Sequence, residues 1–191
     1  MYRFAGCRRR VFNMALRLQI ANREAGERYI RYESMAKNLG TWRRNADTAW
    51  LSEAPYHTLQ QALKDLDRAY RNFFAQRADF PTFKEKGCGD SFRFPDPKQI
   101  KLDQANSRIF LPKLGWVRYR NSREVLGDMK NVTVSLSAGK WFISIQTERQ
   151  VEKAVAHGEA VGIDLGIVRF VILSDGTVCE PLSSFSQHRT N

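Results

Sequence analysis

Asp164 is the residue in this sequence with the clearest chemical prospects, because it interrupts the apolar run AVGIDLGIVRFVIL. A carboxylate inside a buried strand is costly unless something satisfies it. A metal ion, an ion pair, or a strand end that reaches water would each do so. Gly162 and Gly166 share its side of the pleat, since alternate residues of a strand face the same way. Their missing side chains leave room for a metal, a phosphate or an approaching backbone. Ile163 and Leu165 are expected to point the other way, into a core.

A second set of groups could hold phosphates. Lys84, Lys86, Arg93, Lys98, Lys101, Lys113, Arg118 and Arg120 recur through one segment, interleaved with Phe83, Phe92, Phe94, Trp116 and Tyr119. Cations of this kind neutralise phosphates, and exposed aromatic rings stack on unpaired bases. These lysines and arginines are expected to reach phosphate, whereas Trp116, Trp141 and Phe142 are expected in the core. Arg8, Arg9 and Arg10 form a further run, readable equally as a solvated helix face or a phosphate clamp. The balance of the whole chain supports a polyanionic partner: 31 Lys and Arg against 20 Asp and Glu leave a formal charge of +11. Cys7, Cys88 and Cys179 are isolated, so no zinc site is expected, and no His pair has metal-ligand spacing. No apolar run approaches the roughly 20 residues of a membrane span, so no membrane partner is expected. The N-terminal arginines are followed by no apolar signal core, which predicts a cytoplasmic protein.

Three kinds of element must position these groups. Residues Phe4 to Arg23 have helical spacing, with Phe4, Cys7, Val11, Met14 and Leu18 on one face. A second helix is predicted from Glu27 to Leu39, stopped by Gly40. After a connector with a short helical turn at Trp50, the clearest helix starts at Pro55. Its stripe is Tyr56, Leu59, Leu63, Leu66, Tyr70, Phe73 and Phe74. From Phe80 the texture becomes aromatic, basic and punctuated by Gly and Pro. Strands are predicted at Arg108 to Leu111 and Trp116 to Arg120, and a hairpin over NVTVSLSAGKWFISIQTER turns at Ala138-Gly139. The stretch around Asp164 reads as strand, turn, strand, with a second turn at Ser174-Asp175-Gly176.

The GIDLG run by itself admits a structural Asp, the phosphate-binding strand of actin-like ATPases, or the first catalytic strand of an RNase H-like nuclease. In the ATPases a Thr or Ser usually follows the second glycine, where Ile167 stands here. The order of several stretches weighs further. GCRRRVFNMAL, then TLQQALKDLDRAYRNFFAQRADFPTFKEK, then SFRFP, IFLPKLGWVRYR and VTVSLSAGKWFISI, and finally VGIDLGIVRFVILSDG follow one another. The series resembles the TnpB/OrfB family of transposon-encoded RNA-guided DNA endonucleases, relatives of the type V CRISPR effectors.

The resemblance implies an α+β fold in three parts. A helical, REC-like nucleic-acid-binding segment would cover residues 1–79, and a partial WED-like β-barrel residues 80–150. The first strands of an incomplete RNase H-like (RuvC) domain would cover residues 151–191. Asp164 would be the first RuvC carboxylate, a ligand of Mg²⁺, and DNA and guide RNA would be the partners. The family's other catalytic carboxylates and its zinc ribbon find no counterpart in this sequence, and the extra strand with which members normally begin, before the first helix, is not expected here either. A form shortened at both ends is therefore expected, binding nucleic acid without cleaving it alone. The alternatives are a half-enzyme completed by another polypeptide, or a non-catalytic nucleic-acid-binding regulator.

Overall fold

Helix α1 (Tyr2–Glu24) buries Phe4, Ala5, Cys7, Val11, Phe12, Ala15, Leu16 and Gln19. The spacing of three and four makes one continuous stripe. Phe4, Cys7 and Val11 lie on it as expected, whereas Met14 and Leu18 are only half buried, because Ala15, Leu16 and Gln19 carry the stripe onward. The structure, a computed structural model, describes residues 1–151, 161–166 and 169–181. It divides into two compact units, Met1–Gln150 and Val151–Asn191.

The second helix departs from expectation at both ends. Helix α2 spans Tyr32–Arg44 and runs through Gly40. The segment before it cannot coil, because the Gln19 side chain holds both backbone groups of Ile30. Gln19 Nε2 donates to the Ile30 carbonyl at 2.6 Å, and the Ile30 N–H donates back to Gln19 Oε1 at 3.1 Å. The stop comes at Asn45, whose backbone is extended and whose side chain accepts from the Asp47 N–H, starting a 3₁₀ helix over Ala46–Glu53. Helix α3 (Tyr56–Phe74) has Pro55 as its cap, where a missing N–H loses nothing. Its buried stripe includes Leu59, Leu63, Leu66 and Tyr70, while Phe74 is exposed.

Strands follow: β1 (Ser91–Phe94), β2 (Lys101–Asp103), β3 (Arg108–Leu111), β4 (Gly115–Arg118), β5 (Asp128–Ser137) and β6 (Lys140–Glu148). They form two antiparallel three-stranded sheets, ordered β1-β5-β6 and β2-β3-β4, and no closed barrel forms among the described residues. Phe92, Phe94, Val132 and Val134 of the first sheet and Ile109 and Leu111 of the second join the helical leucines in one core. The second unit holds β7 (Ile163–Leu165), β8 (Val171–Leu173) and β9 (Val178–Cys179), an antiparallel meander with its second turn at Ser174–Gly176.

The β5–β6 turn is the predicted Ala138-Gly139 pair, with φ of 47° and 74°. Two positive φ values define the type I′ turn that fits the twist of a hairpin. Ala138 is strained there by its Cβ, and Asn tolerates that region better. Ala138→Asn is therefore expected to raise the urea midpoint, by about 0.5–1 kcal/mol of stability. Gly139→Ala, which meets no neighbouring atom but keeps the left-handed backbone, is expected to lower it.

Candidate nucleic-acid interface

The arginine run on α1 splits into two classes. Arg8 Nη2 donates to Asp65 Oδ2 of α3 at 2.6 Å, and Nη1 donates to the Ser91 carbonyl and hydroxyl of β1, both at 3.2 Å. Its side chain is only 14% exposed. Arg9 Nη1 donates to Asp90 Oδ1 at 2.7 Å, and the other Asp90 oxygen accepts the Gly87 N–H at 3.0 Å. Both arginines thus serve the packing of their own chain. Arg10 alone of the three is exposed, and it lines a cleft of about 570 Å³ with Arg3, Arg9, Asn13 and Trp50.

The basic segment after α3 also divides. The Asn13 side chain brackets the Lys84 backbone, donating to its carbonyl at 2.9 Å and accepting its N–H at 2.8 Å. That places the Lys84 ammonium 4.7 Å from the centre of the Phe12 ring, a cation–π contact. Arg93 Nε donates to Thr133 Oγ1 at 3.2 Å. Lys113 is exposed, in a left-handed turn, and its ammonium donates to the Ser52 carbonyl. Lys86, Lys98, Lys101, Arg118 and Arg120 are exposed and enter no ion pair among the described residues.

The aromatic residues of this segment are sorted by the pleat. Phe92 and Phe94 are buried. Trp116 and Phe142, expected in the core, are 47% and 52% exposed instead, and Trp141 is half buried against Phe92 and Tyr2. In β4 the inward position belongs to Val117, opposite Ile109, which in turn faces Leu102, so Trp116 must face outward. In β6 the inward positions belong to Trp141 and Ile143, opposite Leu136 and Val134, which turns Phe142 out.

The outer face of β2-β3-β4 is a grid of two rows: Asp103, Arg108 and Arg118 directly opposite one another, then Lys101, Phe110 and Trp116. Arg108 Nε donates to Asp103 Oδ2 at 2.7 Å, and its guanidinium lies 4.8 Å from the centre of the Trp116 ring. Bonds from Asn106 and Arg108 hold the Asp103 carboxyl below the ordinary range. Asp103, Arg108 and Phe110 were not among the residues singled out from sequence. Their alternate spacing with Lys101, Trp116 and Arg118 was the available signal.

Asp164 stands in the middle of β7, opposite Ile172 of β8. It is exposed, and so are Ile163 and Leu165, at 66% and 71%. The expected burial of these two side chains is not seen, because no described residue of this unit is buried and a meander of strands this short has no second layer of its own. The glycines also have a plain backbone reason. A Cβ on Gly166 would lie 2.9 Å from the Arg169 carbonyl oxygen, and one on Gly162 would press on Ser174 at 3.4 Å. Gly162 and Ser174 are joined by two 2.9 Å hydrogen bonds, from the Gly162 N–H to the Ser174 hydroxyl and from the Ser174 N–H to the Gly162 carbonyl. Among the described residues no group of three or more His, Cys, Asp or Glu side chains converges as a metal site. Asp164 on its own does not fit a magnesium pair, which needs several oxygen donors. No helix among the described residues is long and apolar enough to cross a membrane.

No family model matches the chain. Over 191 residues, 99% of its length, it is 56% identical to 47% of "Putative RNA-guided DNA endonuclease InsQ" of Escherichia coli (strain K12). Over 175 residues, 90% of its length, it is 33% identical to 43% of "Putative RNA-guided DNA endonuclease" of Streptomyces pristinaespiralis. The chain thus spans just under half the length of these curated relatives.

The split of the arginine run is testable by stability. Arg8→Ala leaves Asp65 without its cation in a largely buried setting and is expected to cost about 1.5–3 kcal/mol in urea unfolding. Arg10→Ala is expected to change stability by less than about 0.5 kcal/mol. Equal effects from the two would mean that the run is not divided in this way.

Proposed function

We propose that this chain, which belongs to the TnpB/OrfB family, forms the nucleic-acid-gripping portion of an RNA-guided DNA endonuclease. The observation that carries this reading is a set of exposed cations, unpaired among the described residues, on a strongly basic chain, alongside cations that serve packing. Glu53, Asp65, Asp90, Asp103 and Glu148 are held by cations of the same chain. Arg10, Lys86, Lys98, Lys101, Arg118 and Arg120 are exposed and in no ion pair among the described residues. With a formal charge of +11 over the whole chain, these exposed cations offer a polyanion places to bind by releasing its counterions. In this reading the helices act as the REC-like part, the two sheets as the WED-like part, and the second unit as the start of a RuvC-like domain.

Asp164 is then one carboxylate of a magnesium site that other residues must complete. In such sites two metal ions clamp the attacking and leaving oxygens of a phosphodiester. What this chain itself supplies is the grip on RNA and DNA. A single carboxylate does not hold two ions, so the chain alone binds without cutting.

Affinity for structured RNA and for DNA, measured by fluorescence anisotropy, is expected to fall linearly on a log–log plot against salt. Lys101→Ala, Arg118→Ala and Arg120→Ala are each expected to reduce that slope by about 1. An affinity indifferent to salt would overturn the reading. Asp164→Asn is expected to change neither binding nor the urea midpoint, since the exposed carboxylate makes no hydrogen bond among the described residues. Magnesium-dependent DNA cleavage by this chain alone would contradict the division of labour proposed here.

A further inference from the structure

The outer face of β2-β3-β4 has a construction that phosphate binding alone does not explain. Phosphates need cations, yet this face also keeps Trp116 47% exposed at the rim of the sheet. The indole is held from two directions. The Arg108 guanidinium stacks over it at 4.8 Å, and the Phe110 ring meets it in an edge-on geometry at 5.8 Å and 69°. Arg108 is fixed in turn by Asp103 at 2.7 Å, and Asp103 also accepts hydrogen bonds from the backbone N–H and side-chain amide of Asn106. An aromatic ring held in place by a guanidinium, itself held by a carboxylate, is ordered before any ligand arrives. Ordering in advance removes an entropy cost from binding.

We propose that this face is a stacking platform for unpaired nucleotides, with a base lying on Trp116 and phosphates reaching Arg118 and Lys101. The proposal rests on the nucleic-acid reading above and names the part of the ligand taken here: bases outside a duplex. A duplex hides the faces of its bases within its own stack, so it can offer this grid only phosphates and edges. A single strand offers both a π-face for the indole and a phosphate for each flanking cation. Arg118 lies directly opposite Arg108 and two residues from Trp116 on the same face, and Lys101 lies opposite Phe110 across the sheet. The cations therefore bracket the ring along both directions of the grid. Trp116 is the contact residue of this platform, while Asp103 and Arg108 position it.

The test uses the full chain and three probes of matched length: a uridine-rich RNA strand, the corresponding DNA strand, and a blunt RNA duplex. Trp116→Ala is expected to weaken single-strand binding about ten- to a hundredfold, with its salt slope unchanged. Duplex affinity is expected to stay within about twofold, and Trp116→Phe to restore most of the loss. The urea midpoint of Trp116→Ala is expected to match the parent, because the ring is outside the core. Asp103→Ala gives a test of opposite sign. Removing a negative charge would by itself tighten binding to a polyanion, but loosening Arg108 is expected to weaken binding to the single strand. Trp116→Ala losing nothing, or losing equally on strand and duplex, would overturn the platform and leave the nucleic-acid reading standing. Tighter single-strand binding by Asp103→Ala would overturn the positioning of the indole. Failure of the parent chain to bind any of the three probes would overturn both. The RNA and DNA arms tell which kind of strand the platform prefers.

Discussion

The guanidinium of Arg8 joins three elements at once: helix α1 that carries it, α3 through Asp65, and β1 through both oxygens of Ser91. A cation this enclosed is stable only with its partner in place, and the carboxylate needs it equally. A hydrophobic contact would stabilise the same place through any of several registers, whereas this pair satisfies its bonds in one. Around it the apolar core follows: Phe4 of α1 meets Phe92 of β1 edge-on at 5.6 Å, and the leucines of α3 close against α1. The first sheet is therefore carried by the helix that the arginine anchors.

The same helix settles the connecting segments by another means. Loops that run beside a helix leave backbone N–H and C=O groups without secondary-structure partners, and these must be satisfied. Side-chain amides of α1 take that role, Asn13 for Lys84 and Gln19 for Ile30, each presenting a donor and an acceptor to one residue. Arg9 holds Asp90, which in turn caps the Glu85–Asp90 turn. The polar residues of α1 thus go mainly to architecture. Phosphate binding, on the reading proposed above, is left to the exposed cations of the segment that this architecture holds in shape.

Much of this was legible in the sequence where one period dominated. The β5–β6 hairpin and its Ala138-Gly139 turn follow from strict alternation, and α1 and α3 from a sustained helical stripe. The sequence was least informative where a distant side chain decides. Nothing local to residues 27–31 says that Gln19 holds Ile30, so α2 was expected to start too early. Gly40 looked like a stop because glycine often is one, yet no left-handed turn falls there and the helix continues to Arg44. The triple arginine looked uniform in sequence and is not, because its division depends on Asp65 and Asp90 arriving from elsewhere.

The misplacement of Trp116 is the most instructive case, since the period needed to place it was already visible. A strand with one buried face can hold only every second residue inside, and in β3 and β4 those places belong to Ile109, Leu111 and Val117. Assigning Trp116 to the core by its apolarity sets residue type against position, and position wins, because turning the ring inward would turn Val117 out. The same rule explains how one short sheet can serve both folding and a ligand. Its inner pleat is committed to the shared core, so the outer pleat can vary in charge and aromaticity without disturbing that core. Asp164 stands in a different situation, in a meander whose described residues bury neither pleat. There the alternation gives no such division, and the identity of the carboxylate has to be judged by what else comes to it.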